Sequence, residues 1–338
     1  MKKLLLAVLA IAMTAAFTMP AEATQSRVAA MGGYGRYLED DYNIFEWPAT
    51  LPSYSNIVWI NLYQGEEFIP GEGEEGEGEY RDIIIPVIGA SYALGEDGTY
   101  GTLAMFFHGQ AEPLNPFAGW ESPGWRTGDP FSSYVDNKFT VLYGYAMEGL
   151  SFGLFFSRAD WSSKEENGVE VEENAAYTRI GAGVRFDIGD AAYADVSFDL
   201  AMGSLMSDMI AVPEEEETFE GVSEDANKMY GVKARLFYEW NETITWVPYF
   251  GWRSFDFSYK GGNETYDYAD FFYGDKGMMF DLGIGANITV NEDNMILFAI
   301  EPFSYVKREP SEVPEGVNDY EWKAKVMPRF ILGLETDI

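Results

Sequence analysis

Nine charged residues sit inside stretches that are otherwise apolar or small: Arg179, Arg185, Lys233, Arg235, Arg253, Arg329, Asp195, Asp199 and Glu239. Within each stretch they keep to one parity. Arg179 and Arg185 alternate with Thr178, Ile180, Ala182, Val184 and Phe186, and Asp195 and Asp199 alternate with Ala194, Val196, Phe198 and Leu200. A period of two places alternate side chains on opposite faces of a strand. One face therefore collects guanidinium, ammonium and carboxylate groups, joined by Asp281. Two arrangements fit such a face: a charged ladder that gates or selects solutes, or charges paired with one another that hold an internal segment. A charge removed from water must be solvated or paired, which favours the second.

Catalysis finds little support. The chain has no cysteine and one histidine, His108. That excludes thiolate sites and multi-histidine metal centres. No nucleophile motif accompanies His108, so it reads as a hydrogen-bonding residue at a strand end and no enzyme activity is expected. The acidic runs at 71–79 and 213–217 lack the fixed ligand spacing of a calcium loop. Neither a metal nor a cofactor is expected.

The opposite parity raises a question about medium. In "TITWVPYFGWRSFDFSYK", residues 243–260, Ile244, Trp246, Pro248, Phe250 and Trp252 share one face, against Thr245, Val247, Tyr249, Gly251 and Arg253. Similar segments recur, each of roughly ten residues, the length a tilted strand needs to cross a bilayer. Twelve are expected: 55–63, 82–94, 99–108, 138–147, 150–161, 175–188, 191–205, 226–240, 243–259, 277–290, 294–307 and 320–335. Their connections alternate between long (64–81, 109–137, 162–174, 206–225, 260–276, 308–319) and short, the short ones rich in Gly, Asn and Asp. Sorting of loops by end is a property of transmembrane barrels. The expected fold class is thus all-β: an antiparallel transmembrane β-barrel, apolar parity in lipid and mixed parity lining a lumen. Backbone groups in hydrocarbon must all be satisfied, so the sheet must close. Tyr238, Trp240, Trp246 and Trp252 are candidates for an interfacial aromatic girdle.

Pro86, Pro248, Pro302 and Pro328 interrupt these strands on the lipid-facing parity. Proline cannot donate to a ladder. A kink could open a gap through which an apolar solute leaves sideways; local bulges that adjust curvature are the alternative, and the preferred one. The connection 109–137, rich in Pro, Gly and aromatics, is expected to fold over the pore mouth or capture a ligand.

The amino terminus assigns the compartment. Lys2 and Lys3, an apolar run from Leu4 and the sequence Ala21-Glu22-Ala23 form a secretory signal over residues 1–23. A formal charge of −34 repels phosphates, which excludes nucleic acid as a partner. With 16% aromatic residues and 47% hydrophobic ones, the chain is too apolar for disorder. Export without a spanning helix points to the outer membrane of a Gram-negative-type cell, with lipid as the first partner.

Between signal and strands lies "RVAAMGGYGRYLEDDYNIFEWPATLPSY", residues 27–54. Met31-Gly32-Gly33, Asp40-Asp41 and Pro48-Ala49-Thr50-Leu51 give it a resemblance to the amino-terminal hatch of FadL-like outer-membrane proteins. These include hydrocarbon and fatty-acid channels and PorV-type secretion components. Trp47 stands where that group usually has Asn, and the spacing from the acidic pair is one residue shorter. The resemblance implies a plug over residues 24–54, a barrel over 55–338 and fourteen strands. Twelve are legible, and Glu335-Thr336-Asp337 looks like one more turn with no terminal aromatic. A missing final hairpin is therefore expected, a complete twelve-stranded barrel being the alternative. The function implied is a plugged channel for a small apolar solute. The alternative is a structural or secretion-accessory barrel that binds an envelope protein partner through its long acidic loops.

Overall fold

The computed structural model describes residues 36–70, 78–109, 137–166, 170–210, 218–222, 227–263, 271–291, 294–310, 322–326 and 328–336. The alternating segments form one antiparallel sheet in which sequence neighbours pair. Its strands are β1 (Val58–Pro70), β2 (Gly78–Ala93), β3 (Thr102–Gly109), β4 (Asn137–Met147), β5 (Leu150–Glu166), β6 (Glu170–Asp187) and β7 (Ala192–Ile210). They continue as β8 (Thr218–Val222), β9 (Asn227–Asn241), β10 (Ile244–Asn263), β11 (Phe271–Asn291), β12 (Asn294–Pro310), β13 (Trp322–Val326) and β14 (Arg329–Thr336).

These fourteen segments make twelve staves. β8 and β9 both lie between β7 and β10, one above the other. β13 and β14 pair β12 in one register, Ser304 opposite Val326 and Glu301 opposite Arg329, with Pro328 between them. A proline without an N–H divides that stave without shifting it.

Several ladders outrun the apolar pattern. The β5–β6 pairing extends from Leu150 opposite Phe186 to Glu166 opposite Glu170, so the long connection expected at 162–174 shrinks to 167–169. Part of 206–225 is also strand, in β7 and β8. Apolar alternation marks only the stretch in contact with lipid, whereas backbone hydrogen bonding continues wherever two chains stay adjacent. The turns at the other rim are as short as expected, with Gly149 and Gly189 at φ 69° and 67°, where a side chain would be strained.

Alternation becomes a two-faced wall. On β5, Leu154 is 53% exposed while its neighbour Phe155 is 5% exposed. Phe156, Ile180, Val184, Val196, Phe198, Leu282 and Ile284 continue the outward belt. Ser157, Asp195, Ser197, Asp199, Lys233 and Arg235 are buried on the other face. An apolar outside and a charged inside invert the order of a soluble protein and match a wall standing in a bilayer.

Three of the four prolines fall where a ladder is irregular or interrupted. Pro302 occupies a bulge: the β11–β12 register slips between Leu282–Phe303 and Ile284–Ile300. The slip reverses parity beyond it, so Ser304 turns inward and donates to Asp281 Oδ1 at 2.6 Å. Pro248 lies opposite Ile284, and the β9–β10 ladder skips it between Trp246 and Tyr249. Pro86 lies in β2 opposite Leu62. Pairing resumes on both sides of Pro248, Pro302 and Pro328, whereas the β1–β2 ladder runs through Pro86 without a break.

Candidate functional site

The segment Arg36–Tyr54 lies against the inner face. It contains two 3-10 turns, Asp41–Phe45 and Pro48–Tyr54, the second begun by a proline whose missing N–H costs nothing there. Asn43 Nδ2 donates to Leu38 O at 2.7 Å and Thr50 Oγ1 to Trp47 O at 2.8 Å, which closes the segment on itself. Its apolar residues face two sides. Tyr37, Leu38 and Trp47 pack with Phe237, Val247, Tyr249, Leu297, Ala299 and Ile331, from β9, β10, β12 and β14. Ile44 and Leu51 pack with Trp59, Ala104, Phe106, Leu142 and Phe155, from β1, β3, β4 and β5. Strands from both ends of the sheet reach one segment of under twenty residues, so the sheet is curled around it.

Small inward residues make room. A Cβ on Gly153 would collide with the Pro48 carbonyl, and one on Gly283 or Gly285 with the Tyr37 ring. Ser151 Oγ donates to Ala49 O at 3.0 Å beside them. Gly153→Val is therefore expected to cost about 1–3 kcal/mol through overpacking and to unseat the segment. Faster proteolysis within residues 36–54 of the reconstituted protein, with the strands still resistant, would report it.

The sequence-predicted charges are brought together across four staves. Arg185 donates from Nε and Nη2 to the two Asp195 oxygens at 2.7 and 2.9 Å. Arg235 Nε donates to Asp195 Oδ2 at 2.8 Å and its Nη1 to Leu38 O at 2.7 Å. The same guanidinium lies 4.5 Å from the Trp47 ring centre, a cation–π contact in a dry setting. Arg179 pairs with Asp199 at 3.3 Å, and Lys233 Nζ lies 3.5 Å from Glu46 Oε2. Arg253 is half-buried. Arg329 stands opposite Glu301 in register, and Glu239 is exposed at the turn rim, away from the cluster. Asp40, Asp41, Trp47 and Pro48 are buried in the segment, whereas Met31, Gly32 and Gly33 lie outside the described residues.

Sequence reasoning missed the segment's own ions. Arg36 Nη1 donates to Glu301 Oε1 at 2.8 Å, Glu39 pairs with Arg185, and Glu46 meets Lys233. The segment has no periodicity that could sort these residues inward. Glu301 carried a signal: it is the lone acid in the apolar run 295–303, directly before Pro302.

Burial alone would raise the Glu46 carboxyl, but Lys233, Arg36, Arg253 and Arg179 outweigh it and hold the group at about 2. Oε2 is closed off, yet the side chain keeps 40% of its surface open, so lumen water tempers the pull. A depressed carboxyl stabilises the folded state above its unfolded value of about 4.3, and that contribution fades as pH falls towards 2. Segment protection from protease should weaken over that window, and Glu46→Gln should flatten the dependence.

Among the described residues no cluster of three or more His, Cys, Asp or Glu could hold a metal ion, and no helix is long and apolar enough to span a membrane. An apolar outer belt, a charged interior and a meander curled around its own amino-terminal segment define the class: an outer-membrane-type β-barrel. Among solved structures the chain is similar to the copper transporter OprC, with TM-score 0.49 and 9% identity over 75% of this chain and 41% of that one. It is also similar to the siderophore receptor PiuA from Acinetobacter baumannii (TM-score 0.40, 6% identity, 75% and 45%). A third is OmpT, an outer membrane protein of Vibrio cholerae (TM-score 0.33, 9% identity, 82% and 95%). The chain spans less than half the length of the first two. Likeness of this degree bears on neither solute nor mechanism, and the class rests on the geometry above. No family model matches the chain, and no curated protein matches it significantly.

Proposed function

We propose that the chain is an outer-membrane transport barrel for a small apolar solute, exported by residues 1–23 and plugged by residues of about 24–54, in the manner of the FadL-like group. One observation supports this above the others. The aromatic side chains of the inner wall, Trp59, Phe106 and Phe155 on one side and Phe237 and Tyr249 on the other, are covered by Ile44, Leu51, Tyr37 and Trp47 of the segment. A solute able to replace those side chains would compete with the segment for the same apolar surface. The ion pairs at the segment's flanks would hold it in place until then. Uptake of radiolabelled apolar solutes into proteoliposomes, with single-channel conductance in parallel, tests the proposal. Slow uptake by the parent and faster uptake by Gly153→Val are expected; no uptake by either would remove it.

The ion pairs between segment and wall, Arg36 with Glu301, Glu39 with Arg185 and Glu46 with Lys233, also favour the second reading, an occluded barrel that binds an envelope partner. A stoichiometric protein recovered with the barrel from envelope extracts, together with no conductance, would favour that reading.

A further inference from the structure

The outer face is uneven in charge. The chain has 56 acidic and 22 basic residues, so composition alone would not gather lysines on one part of it. Among the described side chains of outward parity, the basic ones are Arg158, Lys228, Lys276, Lys307 and Lys323, and all lie towards the rim opposite the short turns.

Three of them fall on adjacent strands, β11, β12 and β13. Lys307 stands directly opposite Lys323 in the β12–β13 ladder, with Met278 on its other side. Lys276 is diagonal to Lys307, a relation that separates two positions by about 7–8 Å. Lys276 shares its own row with Asp256 and Lys228, where the signs alternate. In the Lys307–Lys323 row like charges face each other instead. That juxtaposition destabilises a sheet, and an anion set between the two ammonium groups turns the repulsion into attraction. One row nearer the short turns, the outward positions are Trp252, Phe280 and Tyr305; the row after that holds Leu282 and Phe303, both well exposed.

Depth decides what kind of anion meets this patch. From the turn at Asn294, Lys307 stands at about 33 Å of height by ordinary strand rise and tilt, past an apolar band of about 25 Å. The lysines are therefore level with lipid headgroups. Short turns face the periplasm in barrels of this class, so these are headgroups of the outer leaflet.

We infer that Lys307 and Lys323, with Lys276 beside them, form a site for a bis-phosphorylated glycolipid of the outer leaflet, of the lipid A kind. One phosphate sits between the facing lysines, each of which offers three donors on a flexible stem, and Lys276 reaches towards the second. The acyl chains run down over Phe280, Tyr305, Leu282 and Phe303. A phospholipid has one phosphate and fewer chains, and would leave part of the patch unfilled. The site rests on the outer-membrane reading of the wall, but it is independent of the lumen and of any solute.

Titration of the refolded full chain in neutral detergent tests it, with bound lipid counted by native mass spectrometry. The probes are bis-phosphorylated lipid A, monophosphoryl lipid A and phosphatidylglycerol. One bis-phosphorylated lipid A is expected to be held in preference to the other two. Lys307→Gln and Lys323→Gln should each weaken that binding about fivefold, the worth of one basic residue near an anionic surface. Lys307→Arg should retain it. Arg158→Gln removes the same charge from β5, elsewhere on the outer face, and should leave the binding unchanged. All four changes lie on the outer surface, and the gel mobility shift verifies folding of each. Phosphatidylglycerol held as tightly as lipid A, or an equal loss in Arg158→Gln, would reduce the patch to general attraction and overturn the site. Monophosphoryl lipid A held as tightly would overturn the part given to the second phosphate. If both lysine-to-glutamine variants bind like the parent, the lysines are not the site.

Discussion

Asp195→Ala should cost about 3–5 kcal/mol of stability, the largest effect of any single truncation in the interior. Asp195 is buried and receives three hydrogen bonds, two from Arg185 and one from Arg235. Removing its carboxylate takes from two neighbouring guanidinium groups the counter-ion they share, leaving Arg185 with Glu39 alone. Arg235 has nowhere to go: it is buried between the Leu38 carbonyl and the Trp47 ring. Arg185→Ala should be milder, since Asp195 keeps Arg235 and the lost side chain is partly open to the lumen. Adding Arg235→Met to Asp195→Ala should recover much of the loss, because an apolar pair can replace a buried ion pair nearly neutrally. Urea unfolding in detergent, followed by the mobility shift of the folded barrel on gels, would rank the three. Equal stability of Asp195→Ala and the parent would mean that the buried pairs contribute nothing to holding the segment.

The second large effect lies on the outer face. Phe198→Lys should cost about 2–4 kcal/mol in bilayers, the measure for a basic residue at mid-depth. Phe198 is the centre of an outward row from Ala194 to Met202 on β7, flanked in register by Ala182 on β6 and Val232 on β9. The same change at Trp240, exposed at the turn rim, should cost no more than about 1 kcal/mol, because an interfacial lysine reaches water. The contrast between the two positions is what matters. Lysine tolerated equally at both would place no lipid against β7.

How much of this could be read from the sequence depends on which physics set each feature. Parity was legible because a strand can present its side chains in only two directions. Residues 244–253 sort as expected, with Val247 and Tyr249 buried inside and Trp246 and Phe250 exposed outside. The sorting of turns by rim was legible because two-residue hairpins leave a chemical mark. Strand ends above the belt were not, because the ladder persists through Glu166 and Glu170 without any apolar pattern. The bulge at Pro302 was legible as an irregularity, but not its consequence, the turning inward of Ser304 towards Asp281. Partners within the charge cluster depend on register among β6, β7 and β9, which no local pattern encodes. Arg36, Glu39 and Glu46 belong to a segment with no period at all, and only their packing against the wall reveals them.

The central claim is that outward residues meet acyl chains while their immediate neighbours face an enclosed, charged interior. Single cysteines placed from 194 to 201 in this cysteine-free chain, each carrying a fluorophore in liposomes with spin-labelled lipid tails, test it most directly. Strong quenching at 194, 196, 198 and 200 with little at 195, 197, 199 and 201 is predicted. Uniform quenching along the row, or none at any position, would contradict it.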